Sequence, residues 1–365
     1  MKKLFACLTF VIVISGIVLA TLYLPNSDSV LKTPEVDENY LEEYIKNTII
    51  NNYSFVYNVN FSISKEYFDD GKDSMELIAL VNLVLKLRLE DTSAHPVILA
   101  IEKFAKNNEL TEVQKTFLQN YETNYKESIY NCIRNGLNAY IRVKAEYRSG
   151  KIELFVETPR GGVYEKAEDA LALHSSTEIE NESYNALSAL VLSISKTGLS
   201  GIKYDGEKAS RYARDYTSNT SKTCCEGDQT NQDVTFYNDT YEYSVGYDCA
   251  NYASQSLHAG GIPYDSIWNP STVAWNYVDF TDSEDEGNDL FSYMLDNYAS
   301  LSKSKLLAIP GTVALIDWND NNSPDHAIII VENDGYTITY SAHTSDRNSA
   351  ILPNDFENVY YLINR

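Results

Sequence analysis

Gly246-Tyr247-Asp248-Cys249-Ala250-Asn251-Tyr252-Ala253-Ser254-Gln255-Ser256-Leu257-His258-Ala259-Gly260-Gly261-Ile262-Pro263 reads as one helix with both ends marked. Gly246 and Asp248 precede it, Gly260-Gly261 stop it, and Pro263 confirms the stop. Cys249 therefore falls at the helix N-terminus. Unpaired N–H groups and the helix dipole favour an anion there, which predicts a lowered thiol pKa and donors for a developing oxyanion.

A nucleophile of this kind needs a base, and the chain has five histidines. His258, nine residues after Cys249, points to the opposite helix face at ~100° per residue. His95 and His174 lie in an earlier part of the chain. His326 and His343 remain. Ala327 to Val331 is a buried-strand run, Asp334-Gly335 is a hairpin signal, and Tyr336 to Ser341 alternates as a return strand. A two-residue loop at Asp334-Gly335 sets Asn333 opposite Tyr336, and therefore His326 opposite His343 on one face of the sheet. One imidazole can then take the thiol proton while a second group orients it.

The last ~165 residues resemble a bacterial family described as "putative amidase domain", related to NlpC/P60, CHAP and papain-type cysteine hydrolases. The resemblance rests on several motifs in order: Tyr204-Asp205 with Ala209, Tyr212-Ala213 and Tyr216; Asp248-Cys249-Ala250-Asn251-Tyr252-Ala253-Ser254-Gln255 with Leu257 to Pro263; Pro310-Gly311 with Val313 to Asp317; Asp325-His326-Ala327-Ile328; and Ser341-Ala342-His343-Thr344 with Asp346-Arg347. This chain has Gly311-Thr312 where the family usually has Gly-Asp. The resemblance implies a papain-like α+β core, with the nucleophile on a helix packed on an antiparallel sheet that carries the base. It implies Cys249 as nucleophile and His326 as base and later acid. It also implies His343 as third member, with Ser341 or Asp346 as substitutes. Asp248, Asn251 and Gln255 would be supporting residues, Asp248 and Gln255 near the oxyanion position, and the intermediate a thioacyl-enzyme.

Upstream, the 365-residue chain suggests two domains. Lys2 and Lys3 precede an apolar run from Leu4 to Leu24, which reads as a signal peptide or membrane anchor over residues 1–25. In either case the remainder is expected outside the cytoplasm, secreted or anchored. Residues 26–38 read as a polar linker. Residues 39–160 read as a small α+β domain, with a helix opened by the Thr111/Gln114 capping box and a hairpin in which Ile141, Val143 and Ala145 alternate outward and Ile152, Leu154 and Val156 return. Residues 74–89 end in an alternation that leaves helix or strand open. Residues 161–200 read as a connector and 201–365 as the catalytic domain.

The formal charge of −23 argues against nucleic acid and against an electrostatic grip on anionic lipid. Five cysteines, two of them adjacent at Cys224-Cys225, do not make a disulfide framework. No cofactor or metal is expected. Asp317, Asn319 and Asn321 alternate like the start of a calcium loop, but Asn322 stands where glycine is needed and no glutamate closes the pattern. Asp325, His326 and His343 as zinc ligands would leave Cys249 unexplained. The reading is an exported cysteine amidase or peptidase acting on an amide or peptide, with cell-wall peptide the natural substrate by location. Its membrane contact runs through the N-terminal segment if that segment is uncleaved. The alternatives are a non-catalytic surface-binding module, whose Trp268, Trp275 and Trp318 line a groove, a metal-dependent hydrolase, and acyl transfer in place of hydrolysis.

Overall fold

The computed structural model describes residues 37–69, 74–197, 201–219, 232–279, 288–354, 356 and 358–365. The apolar run at 1–25, the linker to Val36 and the Cys224-Cys225 pair lie outside them. Among the described residues, no helix is long and apolar enough to cross a membrane.

The chain opens with α1 (Glu38–Tyr53), capped by the Asp37 carboxylate, which accepts from Tyr40 N. Two long strands follow, β1 (Tyr57–Asp69) and β2 (Ser74–Leu85), so the ambiguous apolar run is a strand. Then come α2 (Pro96–Asn107), α3 (Glu112–Asn135), β3 (Leu137–Arg148) and β4 (Lys151–Glu157). The capping box at Thr111 and Gln114 closes as its spacing predicts. Short β5 (Tyr164–Lys166) and α4 (Ala167–Ala170) lead to α5 (Ser176–Thr197). The C-terminal part contains α6 (Gly206–Asp215), α7 (Cys249–Ala259), α8 (Val273–Asn276), α9 (Leu290–Asn297) and strands β6 (Ala299–Ser302), β7 (Val313–Ile316), β8 (His326–Asn333), β9 (Ile338–Ala342), β10 (Arg347–Ile351) and β11 (Val359–Asn364).

These strands form one sheet in the order β1-β2-β3-β10-β9-β8-β7-β11-β6, with β4 and β5 branching from β3. β3 pairs along one edge with β2. Its other edge is shared: Val143 to Arg148 pair with β4, while Tyr140 makes a single parallel bridge to Ala350 of β10. This seam alters the expected organisation. Residues 39–160 and 201–365 do not pack as separate bodies, and Asp37–Arg365 forms one compact unit. The residues at 161–200 include α5, which packs on α2, α3 and β6 and so belongs to the body of the fold.

The seam is reinforced by a buried polar network. The β8–β9 turn is a four-residue connection, because Asn333 pairs with Ile338 and a β-bulge separates Ile330 from Glu332. Its tip is plugged into the N-terminal region. Asp334, fully buried, accepts from Tyr57 Oη at 2.9 Å through both carboxylate oxygens, and from Tyr336 N and Thr337 N. His95 Nε2 bonds the Asp334 carbonyl at 2.8 Å, and Ser128 Oγ donates to the Asn333 carbonyl at 2.8 Å. Gly335 has φ +83°, and a Cβ there would lie 2.6 Å from His95 Cε1, so only glycine fits this turn.

Because so many donors converge on one buried carboxylate, Asp334→Ala leaves several polar groups unsatisfied at once. The expected cost is roughly 2–4 kcal/mol, read as a lower urea midpoint for the whole of 37–365 in one transition. Loss confined to the C-terminal half would contradict the shared body.

Candidate active site

α7 begins at Cys249, as its sequence boundaries predict, and is buried through Leu257. One face packs into the C-terminal core with Trp268, Trp275, Val313, Leu315, Ala327, Ile329 and Val331. The opening helix α6 is brought close by two glycines. A Cβ on Gly206 would lie 2.1 Å from the Pro310 carbonyl oxygen, and one on Gly311 would lie 2.6 Å from Gly206. Where the related family has Asp, Thr312 supplies a hydroxyl that accepts from Ile309 N at 3.1 Å.

The thiol of Cys249 meets the backbone N–H groups expected at a helix start, but its pKa moves opposite to the sequence expectation. Burial pushes it up to about 11. The N–H of Ala327 opposes this, the Asp248 charge adds to it, and the N–H groups of Ala250 and Cys249 itself oppose it more weakly. Dehydration of the sulfur outweighs the helix terminus.

His326 opens β8, opposite Ile316 of β7. Its ring stacks on Trp318, centroids 5.0 Å apart and planes at 23°, and its buried Nε2 has no hydrogen-bond partner among the described residues. Burial lowers its pKa to about 3. No hydrogen bond joins it to Cys249 among the described residues. The sulfur instead faces the amide of Ala327, the next residue along β8.

His343 does not face His326. The observed register pairs Ile329 with Ser341, and continuing it sets Ala327, not His326, across from His343. The bulge and the longer turn account for the slip, since one residue of shift moves a side chain to the other face. His343 bonds Asp248 Oδ2 through Nδ1 at 2.7 Å and the Tyr216 carbonyl through Nε2 at 2.7 Å. Both ring nitrogens are thus engaged, one by the Asp248 carboxylate and one by a backbone carbonyl. Tyr237 and Tyr252 stack on the ring at 3.6 Å and 4.0 Å. With both nitrogens engaged in these bonds, it anchors α7 through Asp248.

The other expected residues are also engaged elsewhere. Asn251 accepts from Trp275 Nε1 at 2.7 Å and donates to the Glu242 carbonyl and to Asp248. Gln255 accepts from Tyr212 Oη at 2.6 Å and stands six residues along α7 from Cys249, about 9 Å along the axis and away from the oxyanion position. Ser341 Oγ accepts from Ser349 N, and Asp346 accepts from Asp233 N and Tyr237 Oη. Asp317 accepts from the amides of Asn319, Asn321 and Asn322 in its own loop. Among the described residues, no three His, Cys, Asp or Glu side chains are arranged to hold a metal ion.

Sequence reasoning missed Trp318 as the neighbour of the imidazole, having weighed it only as core or groove. Its place two residues after the end of the strand paired with β8 was the available signal. It also missed the Ala327 amide and the Tyr216 carbonyl, because backbone groups leave no mark in a sequence.

Residues 203–361 match the family described as "Putative amidase domain", over the segment that carries this geometry. A stretch of 131 residues is 29% identical to the "Uncharacterized protein YjcM" of Bacillus subtilis (strain 168), covering 36% of this chain and 27% of that protein. The chain thus matches about a quarter of the relative's length. No solved structure matches. The family match supports an amide-hydrolysing function for the C-terminal part, with an amide or peptide as substrate in general.

Two consequences of burial can be measured. With its pKa near 11, Cys249 should react with iodoacetamide at pH 7.5 about two orders of magnitude more slowly than a free thiol of pKa ~8.5, its rate climbing through pH 10–11. Rapid labelling at neutral pH would show a thiolate already formed. For His326 the folded pKa of about 3 lies below the unfolded value of ~6.5. Its stabilising contribution is complete above pH 6.5 and is lost as pH falls toward 3. Between pH 7 and 5 the stability advantage of wild type over His326→Gln should shrink by roughly 2 kcal/mol, measured by urea unfolding at each pH.

Proposed function

We propose that this chain is an exported cysteine amidase or peptidase, with Cys249 as nucleophile and His326 as base. The observation that carries the reading is the amide cradle of the sulfur, in which a helix N-terminus and the amide beside His326 converge on one buried thiol.

The resting pair is neutral on both sides. A neutral imidazole can accept a proton, and its Nε2 is uncommitted. In this reading His326 takes the thiol proton as the sulfur attacks the amide carbon. The C=O electrons move onto oxygen, and the N–H groups of Cys249 and Ala250 stabilise the oxyanion. Collapse breaks the C–N bond, and the imidazolium returns its proton to the leaving amine. Water, deprotonated by the same imidazole, then hydrolyses the thioester. Apo contacts of this kind tighten when substrate binds, which accommodates the absence of a Cys249–His326 bond at rest. The helix-on-sheet placement of the thiol agrees with the papain-like layout that the family resemblance implies. The basic stub and apolar run at residues 1–25 support export, and export makes wall peptide the first substrate to test.

A second reading, a binding module on the same fold, is favoured by the raised thiol pKa. The two separate in one assay of amine release from wall-peptide digests by wild type, Cys249→Ser and His326→Ala. The hydrolase reading expects new amines from wild type and a fall of at least about a thousandfold in each variant. Digests bound but left uncut by wild type would favour the binding module.

A further inference from the structure

The strand that carries His326 is gripped at both ends by residues outside the segment that matches the amidase family. At the far end, Tyr57, His95 and Ser128 hold the Asn333–Asp334 turn. In between, Asn138 N donates to Glu332 Oε2 at 3.1 Å. At the His326 end, the exposed Arg160 sets its guanidinium over the Trp318 ring at 5.8 Å, and Trp318 in turn stacks on His326. An imidazole base is commonly oriented by a hydrogen bond from a third side chain. His343, Ser341 and Asp346 are each bonded elsewhere, and the face of Trp318 stacks on this ring.

We propose that residues 37–197 are part of the catalytic machinery, with Arg160 acting through Trp318 as a positioning residue for His326 and the Tyr57–Asp334 network fixing the opposite end of its strand. This rests on the cysteine-hydrolase reading above. Charged and titratable groups on the segments next to His326 include Asp317, Asp320 and Asp325 of the preceding loop, Glu332 further along β8, Asp248 and Cys249 at the start of α7, and Arg160. The Asp325 carboxylate accepts from Trp318 N at 2.8 Å and so holds the indole from its backbone side. Arg160 is a cation in this set, and it reaches the imidazole through the Trp318 ring.

The test uses the whole protein with histidine labelled for NMR and iodoacetamide as the thiol probe, for wild type, His326→Ala, Arg160→Ala, Arg160→Lys, Arg160→Glu and Tyr57→Phe. Arg160→Ala is expected to slow Cys249 alkylation at pH 8 by about two- to fivefold, the range of an exposed cation–π contact. Arg160→Lys should restore most of the rate. Arg160→Glu should raise the His326 titration midpoint by about half a unit or more, a shift that a merely structural residue would not cause. Tyr57→Phe should slow alkylation without moving that midpoint. Arg160 is exposed, so its variants should fold even where Tyr57→Phe does not. Arg160 variants that alkylate and titrate as wild type, while His326→Ala slows alkylation, would overturn the positioning role alone, as would faster alkylation in Arg160→Ala. No effect of His326→Ala would remove the catalytic pair and the proposal together.

Discussion

The bond from His343 Nδ1 to Asp248 Oδ2, at 2.7 Å and fully buried, fixes where Cys249 stands. Asp248 precedes α7, and its side chain does not cap the helix. It reaches His343 through Oδ2 and accepts from Ser244 N at 2.8 Å and Asn251 Nδ2 at 2.9 Å through Oδ1. One carboxylate thus ties the entering loop, the first turn of α7 and the end of β9 together. A buried polar pair of this kind contributes little net stability, but removing one partner leaves the other buried with that bond unmade. The pair therefore specifies position. It sets Cys249 beside the Ala327 amide, and the sandwich of Tyr237, His343 and Tyr252 keeps water from loosening it.

Local signals in the sequence were sufficient for α7 and misleading for the hairpin. The ends of α7 were legible because glycine and proline act on their own backbone. The β8–β9 hairpin was legible as a hairpin but not in register. Asp334-Gly335 suggests a tight two-residue turn when the turn faces solvent. Here Asp334 is buried among Tyr57, His95 and Thr337, and that tertiary demand stretches the turn to four residues and forces a bulge. The pairing of His326 with His343 rested wholly on the register, and it fell with it.

The same limit applies to the seam between β3 and β10. One parallel bridge between Tyr140 and Ala350 joins strands about two hundred residues apart, and no periodicity announces it. The buried cluster beside it shows why the join holds. Glu157 receives Arg347 Nη2 at 2.6 Å and Nε at 3.0 Å, and Arg142 Nη1 lies 3.5 Å from its other oxygen. A carboxylate from the first half of the chain is the counter-ion for an arginine from the second half. Separating the halves would break this buried pair. Only the aligned strands and the charge pair together make one body of two sequence regions.

Charge is distributed in opposite ways on the surface and at the site. The chain carries −23 overall, yet the thiol and imidazole are both neutral at rest because each is dehydrated. Burial raises an acid and lowers a base, so Cys249 and His326 move apart in pKa and proton transfer between them is uphill in the free protein. Their charged forms become favourable only when something else supplies stabilisation. The amide N–H groups at the sulfur do so for a negative charge, and an oxyanion draws on the same donors. In the proposed hydrolase, a helix terminus that fails to ionise the resting thiol keeps its donors available to the transition state, where interactions absent from the ground state accelerate a reaction.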